Sequence, residues 1–209
     1  MQDFPFLYGI TDASLLPQET FEAKTRSALA AGLKLIQYRD KSSDTQKRLQ
    51  QAQLLQGLCT HYGARLIIND DIQLALEVGA AGVHLGQEDG SISDARALLG
   101  PDALLGSTCH NQIELAHTAI EQGTSYVAFG RFFSSKTKGD AAPAQTDILL
   151  AARQKLRVPV VAIGGITHNS AAELWNQGAH CLAVCNAIFA TDNPAIEVEK
   201  FINIYRELS

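Results

Sequence analysis

Nowhere in the 209 residues does an apolar run approach the ~20 needed to cross a bilayer, and Met1 to Pro5 has neither the basic start nor the apolar stretch of a secretory leader. The expected location is the cytoplasm. Positive charge is scarce as well: 17 Lys and Arg against 22 Asp and Glu leave a formal net charge of -5. That balance argues against nucleic acid or a membrane surface as partner, since both are held by a dominant positive field. Any anionic ligand must then be gripped by a local cluster of cations. The four cysteines, Cys59, Cys109, Cys181 and Cys185, form no CxxC pair and lack the Cys/His spacing of a structural zinc site, so they are expected to be packing residues. Neither GxSxG nor HExxH occurs, which disfavours a serine hydrolase or a zinc peptidase.

What the chain does have is a repeated alternation. Apolar, β-rich runs at 6–11, 33–39, 65–70, 82–86, 104–110, 126–133, 158–166 and 181–189 are separated by stretches whose apolar residues fall three and four apart. Several of these helical stretches end in glycine, at Gly32, Gly63, Gly79, Gly123 and Gly178, where a left-handed cap turns a helix into the next strand. Eight βα units with near-continuous apolar strands predict a parallel sheet buried on both faces. Closure into a single (β/α)8 TIM barrel over residues 1–209 leaves no edge exposed. An open doubly wound sheet is the alternative, but the GxGxxG dinucleotide fingerprint is missing after the first strand.

In such a barrel the C-terminal strand ends form the active face. Collected there are Gln37, Arg39 and Lys41; Asn69, Asp70 and Asp71; Gln87, Glu88 and Asp89; Thr108 and His110; and Arg131 with Ser134 to Lys138. Gly164 and Gly165 end the seventh strand, and the eighth is expected to pass through Cys185 and Asn186. Cations alone suit a bare phosphate and carboxylates alone a metal; together they suggest a polyphosphate joined to the protein by Mg2+, which takes oxygen ligands from one or two carboxylates plus phosphate. Asp70 and Asp89 suit the metal, whereas Asp71 reads as the N-cap of the next helix. His84, inside a strand, reads as a satisfied core histidine, and His110 as a structural residue or auxiliary donor. A second anion site is expected at the backbone of Gly164 and Gly165. Two anion sites on one face point to joining a diphosphate ester to a phosphate monoester with release of pyrophosphate.

The motifs QYRDK, LIINDD, GVHLGQED, STCH, FGRFFSSKTK, VVAIGGI and GAHCLAVCNAIF, in this order across almost the whole chain, resemble thiamine-phosphate synthases. The resemblance implies an enzyme of thiamine biosynthesis that condenses 4-amino-2-methyl-5-hydroxymethylpyrimidine diphosphate with 4-methyl-5-(β-hydroxyethyl)thiazole phosphate through a pyrimidine cation. It implies Gln37, Tyr38, Arg39, Asp40 and Lys41 at the pyrimidine diphosphate with Asn69 and Thr108, Lys138 at its pyrophosphate, and Mg2+ on Asp70 and Asp89. Arg39, Lys41 and Lys138 are then the catalytic cations, and Ser135, Lys136, Thr137, Gly165, Cys185 and Asn186 receive the thiazole phosphate. Asn186 stands where a serine is frequent in the family, and Ser135 where a threonine is. The small polar segment 134–146 is expected to close over substrate, since a free pyrimidine cation is hydrolysed by water. Two other readings are a TenI-like thiazole tautomerase, which needs no diphosphate grip, and a non-catalytic phosphate sensor, which turnover would exclude.

Overall fold

The computed structural model describes residues 4–133 and 145–208. Eight short strands, β1 (Leu7–Ile10), β2 (Leu35–Tyr38), β3 (Arg65–Asn69), β4 (Gly82–Leu85), β5 (Leu104–Thr108), β6 (Tyr126–Phe129), β7 (Val160–Ile163) and β8 (Cys181–Val184), pair in parallel and in chain order, with β8 closing on β1. Helices α1 (Gln18–Ala30), α2 (Thr45–Tyr62), α3 (Ile72–Val78), α4 (Ile92–Leu99), α5 (Ile113–Glu121), α6 (Asp147–Lys155) and α7 (His168–Asn176) each follow a strand. After β8 come α8 (Asn186–Phe189) and α9 (Pro194–Leu208). This is the (β/α)8 barrel that the alternation predicts.

The two-residue period of the strands divides the core in two. Ile36, Tyr38, Leu66, Ile68, Val83 and Leu85 face outward into the helix layer, while Tyr8, Ile10, Leu35, Ile67, Tyr126 and Val161 fill the inside of the barrel. Both faces are buried, so the strands read as unbroken apolar runs. Each fully buried Ile or Leu stabilises the fold by ~1.5 to 3 kcal/mol. Asp44, Asp71 and Ser91 cap α2, α3 and α4, accepting from the backbone N–H of Lys47, Leu74 and Asp94 at 2.9, 2.9 and 3.3 Å. Asp71 is thus the cap its position predicts. At the other ends, Gly63 and Gly79 take the left-handed conformation at φ 59° and 63°, which a Cβ would disfavour.

The strands are shorter than their apolar runs, and the last departs most. The run at 181–189 was expected to be one strand, but β8 stops at Val184 and Asn186–Phe189 is helical, burying Ile188 and Phe189. Apolar continuity masks the change because both elements are buried, so hydrophobicity alone carries no sign of the switch in period. Similarly β6 ends at Phe129, after which Phe132 and Phe133 turn back and donate their N–H groups to the carbonyls of Ile163 and Gly164.

Candidate active site

The C-terminal ends of β2, β3 and β4 place Lys41, Asn69, Asp70 and Asp89 around one open pocket of about 530 Å3. Lys41 forms an ion pair with Asp70, and Asn69 Nδ2 donates to the same carboxylate oxygen at 2.5 Å. Asp70 adopts a positive φ of 61°, a conformation tolerated by Asp better than by most residues. Asp89 folds back over its own turn to accept the Gly86 N–H at 3.0 Å. A Cβ at position 86 would lie 2.4 Å from Asp89 Oδ2, so a side chain there would displace this carboxylate from the Gly86 N–H.

The two aspartates titrate in opposite directions. Partial burial works to raise the Asp70 carboxyl, but hydrogen bonds from Lys41 and with Asp89, the Lys41 charge and Asn69 outweigh it and hold the group below its usual value. Asp89 moves up, through partial burial first and then through the hydrogen bond and negative charge of Asp70. A carboxylate pair of this kind shares a proton or a cation, because two bare charges at contact repel. Oxygen donors numbering two suit Mg2+, which completes its shell with phosphate and water. Among the described residues no group of three or more His, Cys, Asp and Glu side chains gathers to hold a metal by itself.

Arg39 is positioned by residues that the sequence reading missed. Its guanidinium donates to Asp12 Oδ2 at 3.1 Å, and its backbone N–H to Thr11 Oγ1 at 2.9 Å, both from the loop after β1. Asp12 is itself buried and accepts the N–H and hydroxyl of Ser14 at 2.9 and 2.5 Å. The available signal was an Asp directly beyond the first strand, at the same rim as Arg39. Gln37 points into the barrel and donates to the Tyr8 hydroxyl at 2.7 Å. Thr108 ends β5, its hydroxyl 2.9 Å from His84 Nε2 and its carbonyl accepting from Gln87. His84, with Tyr126 on its Nδ1 at 3.1 Å, is the satisfied core histidine expected.

Within the QYRDK segment Tyr38 leaves the mouth, whereas Asp40 lines the pocket beside Lys41. Tyr38 alternates outward from Gln37 and Arg39, packs edge-on against Phe21 and donates its hydroxyl to Gln51 at 3.0 Å, so its side chain belongs to the helix layer. Asp40 gives its carboxylate to Lys47 at 2.8 Å and to the Ser42 N–H at 2.7 Å. Burial works to raise that carboxyl, and the Lys47 and Ser42 bonds outweigh it and lower it. This acid anchors the loop that carries Lys41 and lines the same pocket. Ser135, Lys136, Thr137 and Lys138, and the expected closing segment through residue 144, lie outside the described residues.

On the far side of the mouth β7 and β8 end side by side, with Ile163 opposite Ala183. Gly164 and Gly165 therefore lie beside Cys185 and Asn186. Gly164 and Gly165 have φ of 104° and 65°, and a Cβ on Gly164 would fall 2.2 Å from Arg131 Cβ, so the loops after β6 and β7 approach as only glycine allows. Cys185 precedes α8, and its thiol is pushed up to about 12 by burial and then by the Asp12 charge, against Arg39. All four cysteines are unbridged. Asn186 opens α8 with an exposed side chain. No helix among the described residues is long and apolar enough to cross a membrane.

The family model described as thiamine monophosphate synthase matches residues 7–188. A thiamine-phosphate synthase of Saccharophagus degradans is 57% identical over 188 residues, 90% of this chain and 87% of that protein. One from Marinobacter nauticus is 49% identical over 193 residues, 92% of this chain and 86% of that protein. The solved thiamine phosphate pyrophosphorylase from Pyrococcus furiosus has a TM-score of 0.87 at 31% identity, covering 97% of this chain and 96% of that one.

Proposed function

The chain belongs to the thiamine monophosphate synthase family and is a transferase of thiamine biosynthesis; from that premise we propose how its barrel mouth carries the reaction. The pyrimidine diphosphate sits over β2 to β5, with Gln37, Asn69 and Thr108 near its ring and Arg39 and Lys41 at its diphosphate. The carbon–oxygen bond to the diphosphate breaks with its electron pair on the departing oxygen. The thiazole nitrogen then forms the new carbon–nitrogen bond, and pyrophosphate leaves. The thiazole phosphate is held across β7 and β8 by backbone at Gly165, Cys185 and Asn186.

The observation that carries this reading is the convergence of Lys41, Asp70 and Asp89 on one pocket. A tautomerase has no diphosphate to hold and no use for that cluster. Mg2+ held by Asp70 and Asp89 would neutralise diphosphate oxygens as a Lewis acid. The chain's own part is electrostatic. Arg39, fixed in direction by Asp12, presents a planar fork to phosphate oxygens, and Lys41 adds a point charge as negative charge grows on the leaving group. The reaction takes place at the rim, with small-molecule substrates as the partners.

The test is pyrophosphate release from the pyrimidine diphosphate with Mg2+, with and without thiazole phosphate. Release that depends on both supports the reading. Release with no thiamine phosphate formed, or none at all with both substrates present, would refute it.

A further inference from the structure

The two loops that bring Lys41 and Asp70 together are both held from one place, the first turn of α2. Lys47 Nζ lies 2.8 Å from Asp40 Oδ2, and the next residue, Arg48, puts Nη2 2.6 Å from Asp71 Oδ2. Asp40 directly precedes Lys41 in the chain, and Asp71 directly follows Asp70. Adjacent cations thus grip the chain neighbours of two functional residues, one in the loop after β2 and one in the loop after β3. The turn that carries them is itself fixed by Asp44, which accepts the Lys47 N–H at 2.9 Å.

The loop after β3 needs such a hold. The Asp71 N–H donates to the Asn69 carbonyl at 2.8 Å, closing a γ-turn with Asp70 in its middle at φ 61°. A γ-turn at positive φ is rare and strained, and it persists only where the surroundings over-determine it. On the strand side the Asp70 N–H is tied to the His84 carbonyl at 2.9 Å. On the helix side the Asp71 carboxylate is divided, Oδ1 accepting the Leu74 N–H at 2.9 Å and Oδ2 meeting Arg48. The first of these bonds stays within α3, whereas the second ties the turn to α2. Asp71 is the anion that answers the Arg48 charge, since Arg48 Nε is buried without a partner among the described residues. The result of the turn is that the Asp70 carboxylate meets Lys41 and Asp89.

We propose that Arg48 is a positioning residue of this site: by clamping Asp71 to α2 it holds the strained turn at Asp70 and so aims the Asp70 carboxylate at Asp89. Without Arg48, Asp71 keeps its cap on α3, but Asp70 relaxes to negative φ and its carboxylate swings out of the pair. A partly exposed ion pair contributes little to global stability, so the consequence falls on the site rather than on the fold. The cation that the pair takes rests on the function proposed above; the clamp does not.

Two variants of the full-length protein remove the same link from opposite ends. Arg48→Met keeps an apolar stem and removes the charge, while Asp71→Asn keeps an oxygen for the Leu74 N–H and loses the one that Arg48 holds. In NMR spectra of the metal-free protein, the backbone couplings of Asp70 read the sign of its φ; it should be positive in the wild type and negative in both variants. By calorimetric titration each variant should bind magnesium pyrophosphate about tenfold more weakly, with Tm within a few degrees of the wild type. The double variant should bind no more weakly than either single one. Arg48 also lines the pocket, and direct contact with phosphate would leave a different pattern, with Arg48→Met weakened and Asp71→Asn, which removes a negative charge, unimpaired. That pattern, additive losses, or a positive φ at Asp70 in both variants overturns the proposal. If Arg48→Met does not fold, Asp71→Asn, with its cap intact, still decides. A wild-type protein that takes up no magnesium pyrophosphate defeats the functional reading, while the couplings of Asp70 continue to report on the clamp.

Discussion

Replacing Asp89 by asparagine should stabilise the metal-free protein while impairing it as an enzyme. Asp89 faces Asp70, and the two carboxyls are driven apart in titration, Asp89 upward and Asp70 downward. An amide keeps an oxygen for the Gly86 N–H, now 3.0 Å from Asp89 Oδ2, and turns an N–H donor toward Asp70. Two like charges ~4 Å apart repel by ~1 to 4 kcal/mol at effective dielectric constants between those of water and a protein surface. Asp89 is exposed and Lys41 stands nearby, so screening leaves the lower end, about 0.5 to 1 kcal/mol. For a chain of this length that corresponds to a rise in Tm of roughly 1 to 4 °C in EDTA.

The pH dependence has a definite sign. A carboxyl whose folded pKa is raised adds stability below its unfolded value and loses it as pH rises through the folded one. The advantage of Asp89→Asn is therefore present at neutral pH and disappears below the ordinary carboxylate range near ~4. Mg2+ with pyrophosphate should reverse the order if, as proposed, the wild-type pair holds the cation. At about ten times Kd the ligand adds ~1.4 kcal/mol, a rise of roughly 3 to 6 °C that the variant should largely lack. Differential scanning fluorimetry with EDTA and with Mg2+ and pyrophosphate reads both effects. A variant that melts lower in EDTA, or gains as much from Mg2+ as the wild type, would refute the carboxylate pair as a cation site.

Asp12→Ala should release the Arg39 guanidinium and raise the KM for pyrimidine diphosphate about tenfold, the value of one charge-assisted hydrogen bond, in steady-state assays; an unchanged KM would show that Arg39 needs no partner. Gly106→Ala forces a methyl against Tyr126 and His84 and should cost about 2 kcal/mol, lowering Tm by roughly 4 to 8 °C by calorimetry. A silent substitution there would mean that the packing around them has slack. Lys138→Ala should lower kcat more than it raises KM if Lys138 answers charge on departing pyrophosphate; a change in KM alone would make it a ground-state clamp.

Much of this was legible in order and period. Alternating βα units, capped by residues such as Asp71 and Gly79, dictate a parallel sheet that must bury both faces, and closure follows from that need. The same order assigns Lys41, Asp70 and Asp89 to one rim, because every parallel strand ends on the same side. The outward turn of Tyr38 was also available from the two-residue period of β2, which directs Gln37 and Arg39 inward. What local pattern does not carry is partnership across the barrel. Asp40 and Lys47 are near neighbours, yet their ion pair depends on the bend after β2. Asp12 meets Arg39 across 27 positions, and hydrogen bonds join Gln37 to Tyr8 across 29 and Tyr8 to Tyr126 across 118. The β8 to α8 change was hidden for a related reason, since buried strand and buried helix draw on the same apolar residues. Sequence determined the elements and the face they share, because propensity and period act over a few residues. Tertiary closure alone decided which buried donors meet which acceptors, because those hydrogen bonds form only when distant strands are brought within about 3 Å of one another.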